Sequence, residues 1–232
     1  KLGFMTIDDL AKASIKDLIK IKGIRDKTAF SIHNNALALS TGKPIILSKA
    51  GLRLPQRDVE IFMDFEGTAE AVDDISPLVY LMGTLVRQGG KERYMPFIAD
   101  GGSEEHMFGE FIDYVKGLPD FVVYHWHGYE SRKTGDMLRR YGIPAAMAKK
   151  VQGSMIDLQR VVKGSVALPT YGYGLKPVAK WLGFSWRHKD VSAMESIAYY
   201  HDYARNRNPD SERKMQMVID YNEDDCMATR VV

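Results

Sequence analysis

Two acidic side chains, Asp64 and Glu66, stand at the end of an apolar run that starts at Val59. The run is short, largely apolar and rich in β-branched and aromatic residues, which predicts a buried β-strand. Positions i and i+2 of a strand face the same way, so both carboxylates lie on one side of it. Burying two like charges this close is costly unless a cation lies between them, and Mg²⁺ prefers carboxylate oxygens. The pair therefore indicates a site for a divalent metal ion.

Further candidate groups lie near the C-terminus, in a stretch with helical periodicity. Tyr221 and Asp225 are four residues apart, which places a phenol and a carboxylate on one face of the helix. A fourth acid, Glu130, follows Tyr129 shortly after the strand-like run Phe121–Tyr124. Isolated acidic residues are mostly solvated surface groups. A chemical role for Glu130, Tyr221 and Asp225 therefore depends on whether the fold places them next to the strand that carries the acidic pair.

The order of these motifs resembles that of the DEDD-type 3′→5′ exonucleases, which have the ribonuclease-H-like fold. The motifs are Asp64-x-Glu66, Tyr129-Glu130 and Tyr221-x-x-x-Asp225. The last form marks the tyrosine-bearing branch of that family. The stretch 173–184 is also similar to the segment before the last motif in a predicted-nuclease subfamily, where the domain often follows a RecB-like nuclease domain and a helix-hairpin-helix. The resemblance covers roughly Val59 to Val232.

This resemblance implies a set of metal ligands and a water-positioning group. The implied ligands of two Mg²⁺ or Mn²⁺ ions are Asp64, Glu66, Glu130 and Asp225. Tyr221 is implied to help position the attacking water. Two ions about 3.5–4 Å apart can activate a water and stabilise the leaving oxygen of a phosphodiester displacement. The four carboxylates offset much of their charge.

The second motif departs from the family pattern, in which the acid is usually Asp. Here the acid is Glu130, and His125 stands near the position of a usual Asn. Glutamate is one methylene longer than aspartate, so it can still bind a metal if the geometry adjusts. Asp136 and Asp157 are the alternatives for this ligand, and both rank lower.

The N-terminal residues 6–39 are predicted to form short helices joined by a tight turn. Thr6 and Asp9 have the spacing of a capping box, and Gly23 permits the turn before the last helix. The frame resembles a helix-hairpin-helix, whose backbone N–H groups can hold a nucleic-acid phosphate. The implied contacts are Lys22, Gly23, Arg25 and Lys27, with Arg25 standing where a second glycine is usual. A helical packing module that touches no nucleic acid is the alternative.

Two features before the C-terminal motif allow more than one interpretation. Lys176 is a further candidate nucleic-acid contact, because it lies on a predicted helix and can meet either a phosphate or only water. Tyr171 and Tyr173 alternate with glycines in a loop that can stack on a base or simply pack locally. Neither feature decides between these roles.

Three segments are predicted: a helix-hairpin-helix module at 1–40, a linker at 41–57 and a ribonuclease-H-like exonuclease domain at 58–232. Glycines and prolines indicate the linker. The predicted strands are Val59–Phe65, Leu78–Val86, Arg93–Ile98, Phe121–His125 and Met155–Leu158, the first two joined through 67–77. Antiparallel strands followed by strands alternating with helices are typical of an α/β fold with a mixed sheet flanked by helices.

Composition limits the classes of protein that fit. The chain has 232 residues and a net charge of +2, so no overall basic character predicts nucleic-acid binding, which must come from local patches. One cysteine precludes an internal disulfide framework and fits a reducing cytosol, so we expect a cytoplasmic protein. No apolar stretch approaches the ~20 residues that span a bilayer, and no signal peptide is recognised. Since the chain begins with Lys1 and stops just after the last motif, we expect further domains in a longer protein.

The function predicted from these features is metal-dependent hydrolysis of phosphodiester bonds by a 3′→5′ exonuclease, with DNA favoured over RNA as partner. A catalytically inactive nucleic-acid-binding or scaffolding module on a nuclease fold is the alternative, for which Glu130 is the main reason. The residues alone do not distinguish single-stranded from double-stranded substrates.

Overall fold

The protein contains helices at both ends of the chain and both strands and helices between them. The computed structural model describes residues 3–68, 78–188 and 191–232, so the connection predicted at 67–77 lies largely outside the described residues. The helices are α1 (Ile7–Lys12), α2 (Ile15–Ile19), α3 (Asp26–Thr41), α4 (Glu104–Lys116), α5 (Tyr129–Arg140), α6 (Ala145–Ser154), α7 (Leu158–Ser165), α8 (Leu175–Trp181), α9 (Ala193–Arg205) and α10 (Pro209–Val231). The strands are β1 (Ile45–Ile46), β2 (Val59–Gly67), β3 (Val79–Gln88), β4 (Lys91–Ile98), β5 (Phe121–His125), β6 (Met155–Asp157) and β7 (Val166–Ala167).

The chain divides into two compact units, and each is built from two separate stretches of sequence. The first unit comprises Lys1–Leu54 and Gln159–Gly183, and the second comprises Pro55–Leu158 and Phe184–Val232. Part of the segment predicted as the nuclease domain therefore packs with the N-terminal helices. The segment predicted as a linker, 41–57, contains strand β1.

In the first unit, local sequence signals place the helix starts. Thr6 accepts a hydrogen bond from the backbone N–H of Asp9, whose carboxylate accepts one from the N–H of Thr6, so the predicted capping box is present. Gly23 has a φ of +91° in the turn between α2 and α3, a conformation that side chains with a Cβ rarely adopt. Leu18 and Ala29 are fully buried where these helices pack.

The second unit contains a five-stranded mixed sheet with the strand order β4-β3-β2-β5-β6. Strand β3 is antiparallel to both of its neighbours, while β2, β5 and β6 are parallel to one another. Gly89 and Gly90 both have positive φ in the turn between β3 and β4, as a two-residue hairpin requires. Parallel neighbours need crossover connections, and α5 with α6 supplies the one between β5 and β6. The predicted mixed sheet flanked by helices is confirmed.

The two faces of the sheet have different partners. Phe65, Met82 and Phe97 lie opposite one another on β2, β3 and β4 and are buried on one face. Phe97 meets Phe111 of α4 edge to face, with ring centroids 5.8 Å apart, so α4 covers that face. Residues alternate along a strand, so Asp64, one residue before Phe65, points to the other face. The sheet therefore holds its acidic positions away from this aromatic layer.

Candidate metal centre

Three carboxylates meet where β2 lies against α10. Asp64 and Glu66 come from the same face of β2, and Asp225 comes from α10, 159 residues beyond Glu66 in the chain. One carboxylate oxygen of each lies within 4.8 Å of the corresponding oxygens of the other two. Helix α10 contacts β2, β3 and β5, so a long helix packed across the sheet carries the third acid to the strand.

The electrostatics of this trio favour a cation. Burial raises the pKa of Asp64 well above its usual range, and the negative charges of Asp225, Glu66 and Glu130 raise it further. Like charges held this close repel one another unless a positive charge offsets them. Hard divalent ions such as Mg²⁺ and Mn²⁺ prefer sets of carboxylate oxygens. The trio is therefore a donor set that can hold a divalent metal ion.

Glu130 lies beside the trio but is not part of it. It is the second residue of α5 and only 5% exposed. Its Oε2 atom is buried and has no hydrogen-bond partner among the described residues. Nδ1 of His125 is 3.5 Å from that oxygen, but this nitrogen makes a much shorter contact of 2.6 Å with the carbonyl of His127. An unsatisfied buried carboxylate oxygen next to three acids is a further donor that suits a cation.

The two lower-ranked alternatives for this ligand have other partners. Asp136 pairs with Arg139 on α5, and Asp157 accepts a hydrogen bond of 3.1 Å from the backbone N–H of His127. Like Glu130, neither belongs to the acidic group found among residues 3–68, 78–188 and 191–232. Glu130 stays the candidate fourth ligand because its charge acts on Asp64 and its Oε2 atom is unsatisfied.

Asp64 is oriented by a buried amide that the sequence analysis did not single out. Asn222 of α10 is fully buried, and its Nδ2 donates to Oδ2 of Asp64 at 2.9 Å and to the Asp64 carbonyl at 3.3 Å. The hydroxyl of Tyr94 donates to Asn222 Oδ1 at 2.8 Å, which fixes the amide orientation. Gly83 leaves the space for this amide, since a Cβ there would lie 1.6 Å from Asn222 Oδ1.

Glu66 is held by a second buried hydrogen-bond chain. The Ser196 hydroxyl of α9 donates to Oε2 of Glu66 at 3.2 Å. Tyr80 lies 2.6 Å from the same serine oxygen, and because serine has a single hydroxyl proton, Tyr80 is the donor in that contact. Burial raises the pKa of Tyr80, which keeps its phenol protonated. Glu66 therefore has a fixed carboxylate orientation.

Asp225 receives its hydrogen bond from the segment between α8 and α9. Nε1 of Trp186 donates to Asp225 Oδ1 at 2.7 Å, and the indole is buried. The neighbouring Arg187 anchors this segment to α10, because its backbone N–H and its Nε donate to Asp224 at 2.6 and 2.8 Å. It also pairs with Glu223 at 2.7 Å. The acids next to Asp225 therefore support the site as well, since Asp224 and Glu223 bind the segment whose Trp186 orients Asp225.

Tyr221 lies next to the trio on α10, one turn before Asp225. Burial raises the pKa of its phenol, and the charges of Asp225, Glu66 and Asp64 together with a hydrogen bond to Asp225 raise it further. The hydroxyl therefore stays protonated at neutral pH and donates to Asp225. The i, i+4 spacing of Tyr221 and Asp225 predicts that these two groups are neighbours.

Comparison with known proteins agrees with this geometry. A family model of the RNase H superfamily matches residues 61–232, which is most of the chain. The chain belongs to the RNase H superfamily. Its structure is similar to that of the family B DNA polymerase from the hyperthermophilic archaeon Pyrobaculum calidifontis, with a TM-score of 0.54 and 15% sequence identity. No curated protein sequence matches the chain.

The similarity to the polymerase covers 75% of this chain and 24% of the polymerase chain, so the protein spans about a quarter of the polymerase's length. At this level of identity the similarity shows the fold alone. As a member of the RNase H superfamily, the chain has a nuclease fold, and its acidic trio can hold a divalent metal ion.

The predicted nucleic-acid contacts of this RNase H-superfamily chain all lie in the first unit. Lys22, Gly23 and Arg25 are exposed in the turn between α2 and α3, Lys27 is exposed at the start of α3, and Lys176 is exposed on α8. Their contact with nucleic acid stays a prediction. Among the described residues no helix has the length and hydrophobicity to cross a membrane.

Replacing Asn222 with leucine is expected to weaken Mn²⁺ binding and to destabilise the protein by about 2–4 kcal/mol, because it removes the donor to Asp64 and leaves the buried Tyr94 hydroxyl unpaired. Tyr94→Phe is the matched control, since it keeps the Asn222–Asp64 contact, although it leaves the buried Asn222 Oδ1 without its donor and should cost about 1–3 kcal/mol. Urea unfolding without metal and Mn²⁺ titration by calorimetry measure both effects. Unchanged Mn²⁺ affinity in Asn222→Leu would contradict the positioning role.

Proposed function

We propose that the chain is a metal-dependent 3′→5′ exonuclease of the tyrosine-bearing DEDD type that hydrolyses DNA or RNA. The observation that carries the proposal is the meeting of Asp64, Glu66 and Asp225 at one site in a chain of the RNase H superfamily. The unsatisfied carboxylate oxygen of Glu130 and the phenol of Tyr221 lie beside that site. Together these groups supply four acids and a tyrosine in the order of the family motifs, with Glu130 in place of the usual aspartate.

In the proposed reaction a water oxygen bonds to phosphorus while the bond from phosphorus to the O3′ atom of the preceding nucleotide breaks. O3′ takes up a proton, and a nucleoside 5′-monophosphate leaves. Bound divalent ions would supply the positive charge that acidifies the water and stabilises the leaving oxygen. Asp64, Glu66 and Asp225 would hold two Mg²⁺ or Mn²⁺ ions, with Glu130 as the fourth ligand.

The remaining groups act by holding these carboxylates and the water in place. The hydroxyl of Tyr221 donates a hydrogen bond to Asp225. Its oxygen can therefore accept a hydrogen bond from the attacking water and fix that water's orientation. Trp186 and Asn222 hold Asp225 and Asp64 in single orientations. Fixed groups of this kind lower the barrier because no reorganisation is needed during the reaction.

One observation favours the alternative of an inactive binding module. Glu130 stands where the family usually has aspartate, and its carboxylate lies outside the trio of oxygens within 4.8 Å of one another. An inactive module would bind nucleic acid and Mn²⁺ without cleaving. Cleavage therefore decides between the two functions.

The test uses 5′-end-labelled DNA and RNA oligonucleotides with Mg²⁺ or Mn²⁺. The proposal predicts a ladder of products shortened from the 3′ end, abolished by EDTA and by blocking the 3′ hydroxyl with an inverted nucleotide. Circular single-stranded DNA should resist. Cleavage of the circle would show an endonuclease, and no cleavage of any substrate by a protein that binds Mn²⁺ would show the inactive module.

A further inference from the structure

The small net charge of the chain conceals a strong separation of charge between its two units. The stretches Lys1–Leu54 and Gln159–Gly183 contain 14 lysines and arginines against four aspartates and no glutamate, a net charge of +10. The stretches of the second unit contain 18 basic and 26 acidic residues, a net charge of −8. The first unit therefore attracts polyanions such as nucleic acid. The overall charge of +2 did not indicate this property.

The second stretch of the basic unit contributes cations without any acid. Residues 159–183 contain four basic residues, Arg160, Lys163, Lys176 and Lys180. Backbone pairing of Ile45 with Ala167, and a hydrogen bond of 2.8 Å from the Tyr173 hydroxyl to Asn35, bind this stretch to the N-terminal residues. The basic surface is therefore assembled by the fold from two parts of the sequence.

An open groove of about 650 Å³ lies within this unit. It is lined by Ile15, Asp26, Lys27, Phe30, Ser31, Leu47, Lys163 and Gly164. Phe30 is 44% exposed, and Lys27 and Lys163 are also exposed at the groove, although they come from different stretches of the chain. An exposed aromatic ring and two cations lining one groove match the way proteins bind single strands, with a base on the ring and phosphates at the cations.

We propose that this groove, here called the basic groove, binds a single strand of the nucleic-acid substrate, with a base against Phe30 and phosphates at Lys27 and Lys163. The inference rests on the proposed nuclease function and extends it by naming the form of the substrate. A single strand is the occupant because stacking on a side chain needs an unpaired base whose face is accessible. The net charge of the unit favours nucleic acid over an apolar protein segment.

The electrostatic part is tested on the full chain in EDTA, where binding is measured without cleavage. Lys27→Glu/Lys163→Glu should weaken binding of a single-stranded 20-mer about 10–100-fold and reduce the slope of log affinity against log salt by about 1.4, for two lost phosphate contacts. Lys91→Glu/Lys149→Glu changes the net charge equally on the second unit and should bind as the wild type does. Equal losses in both double variants, or none in the first, would overturn the proposal.

The stacking part is tested with Phe30→Leu, which keeps an apolar side chain but removes the flat ring. Binding of the single strand should weaken about tenfold with an unchanged salt slope, and binding of a 20-base-pair duplex should not change. Thermal unfolding verifies that every variant is folded. A Phe30→Leu protein that binds the single strand as tightly as wild type does would show that the groove has another occupant, such as a protein segment.

These outcomes are separable from those of the proposed function. A wild-type chain that binds single strands through the basic groove but never cleaves them would contradict the nuclease and leave the groove proposal intact. If the wild-type chain cleaves from the 3′ end and the Lys27→Glu/Lys163→Glu protein binds the single strand normally, only the groove proposal is contradicted.

Discussion

Replacing Asp64 with asparagine is expected to lower the rate of phosphodiester cleavage by about 10³-fold or more at every practical concentration of Mg²⁺ or Mn²⁺, since a metal site supplies several kcal/mol of transition-state stabilisation. The change removes one charge from the trio but keeps an oxygen that can accept from Asn222 Nδ2. Single-turnover cleavage measures the loss. Asp113→Asn, which removes an equal charge from an exposed position on α4, is the control and should cleave at the wild-type rate.

The same Asp64→Asn substitution, which lowers activity, should raise the stability of the metal-free protein. The pKa of Asp64 is raised in the folded protein by burial and by the neighbouring acids. A carboxyl of this kind stabilises the fold while it is protonated, and that stabilisation is lost as the pH rises through the raised pKa. Without metal, the contribution of Asp64 to the free energy of unfolding should fall as the pH rises above about 4, so the stability of Asp64→Asn should increase relative to that of the wild type over this range. An identical pH dependence in both proteins would contradict the repulsion inferred within the trio.

Replacing Tyr221 with phenylalanine is expected to slow the chemical step by about 10–10³-fold, the range of positioning and proton-transfer contributions, while Mn²⁺ binding and the fold persist. The ring still packs, and only the hydroxyl that contacts Asp225 is lost. Single-turnover rates and Mn²⁺ titration of the same preparation separate chemistry from metal binding. Tyr114→Phe on α4 is the control.

Two results would contradict the role proposed for Tyr221. A Tyr221→Phe protein with the wild-type single-turnover rate would make Tyr221 a packing residue, and the tyrosine-bearing assignment would be wrong. Loss of Mn²⁺ binding in this variant would instead show that the phenol supports the metal ligands themselves.

The parts of the fold that depend on local sequence were predictable. The strand expected at Val59–Phe65 is observed at Val59–Gly67, and the strand expected at Arg93–Ile98 is observed at Lys91–Ile98. Alternation, caps and turn glycines report on neighbours a few residues away, so a single chain shows them. The acidic pair on β2 and the i, i+4 pair on α10 are likewise local patterns.

The groups that orient the trio could not be found in this way, because their partners are far apart in sequence. Asn222 lies 158 residues from Asp64, and Trp186 contacts Asp225 from a segment without regular structure. One signal was available for Asn222, since it shares a helix face with Val218 and Asp225 and is therefore a polar residue on a buried stripe. No spacing rule indicated Trp186 or Ser196.

The division of the chain into two units could not be predicted from the sequence for a similar reason. Residues 159–183 follow the sheet strands without a break in composition, and contacts between distant residues, such as the pairing of β1 with β7 and the Tyr173–Asn35 hydrogen bond, join them to the N-terminal residues. The net charge of the whole sequence is therefore the sum of +10 for the first unit and −8 for the second, and it hides both values. The interpretation that the chain lacks a basic signal for nucleic acid depended on that sum.

The most direct measurement of the central claim is an anomalous-scattering map from crystals of the protein soaked in Mn²⁺. Manganese peaks are expected at Asp64, Glu66 and Asp225, with Glu130 contacting one of the ions, and they should be absent from Asp64→Asn crystals soaked in the same way. Manganese bound only at other acids, or no peak at the trio at a saturating concentration, would contradict the assignment of this site as a metal-dependent nuclease centre.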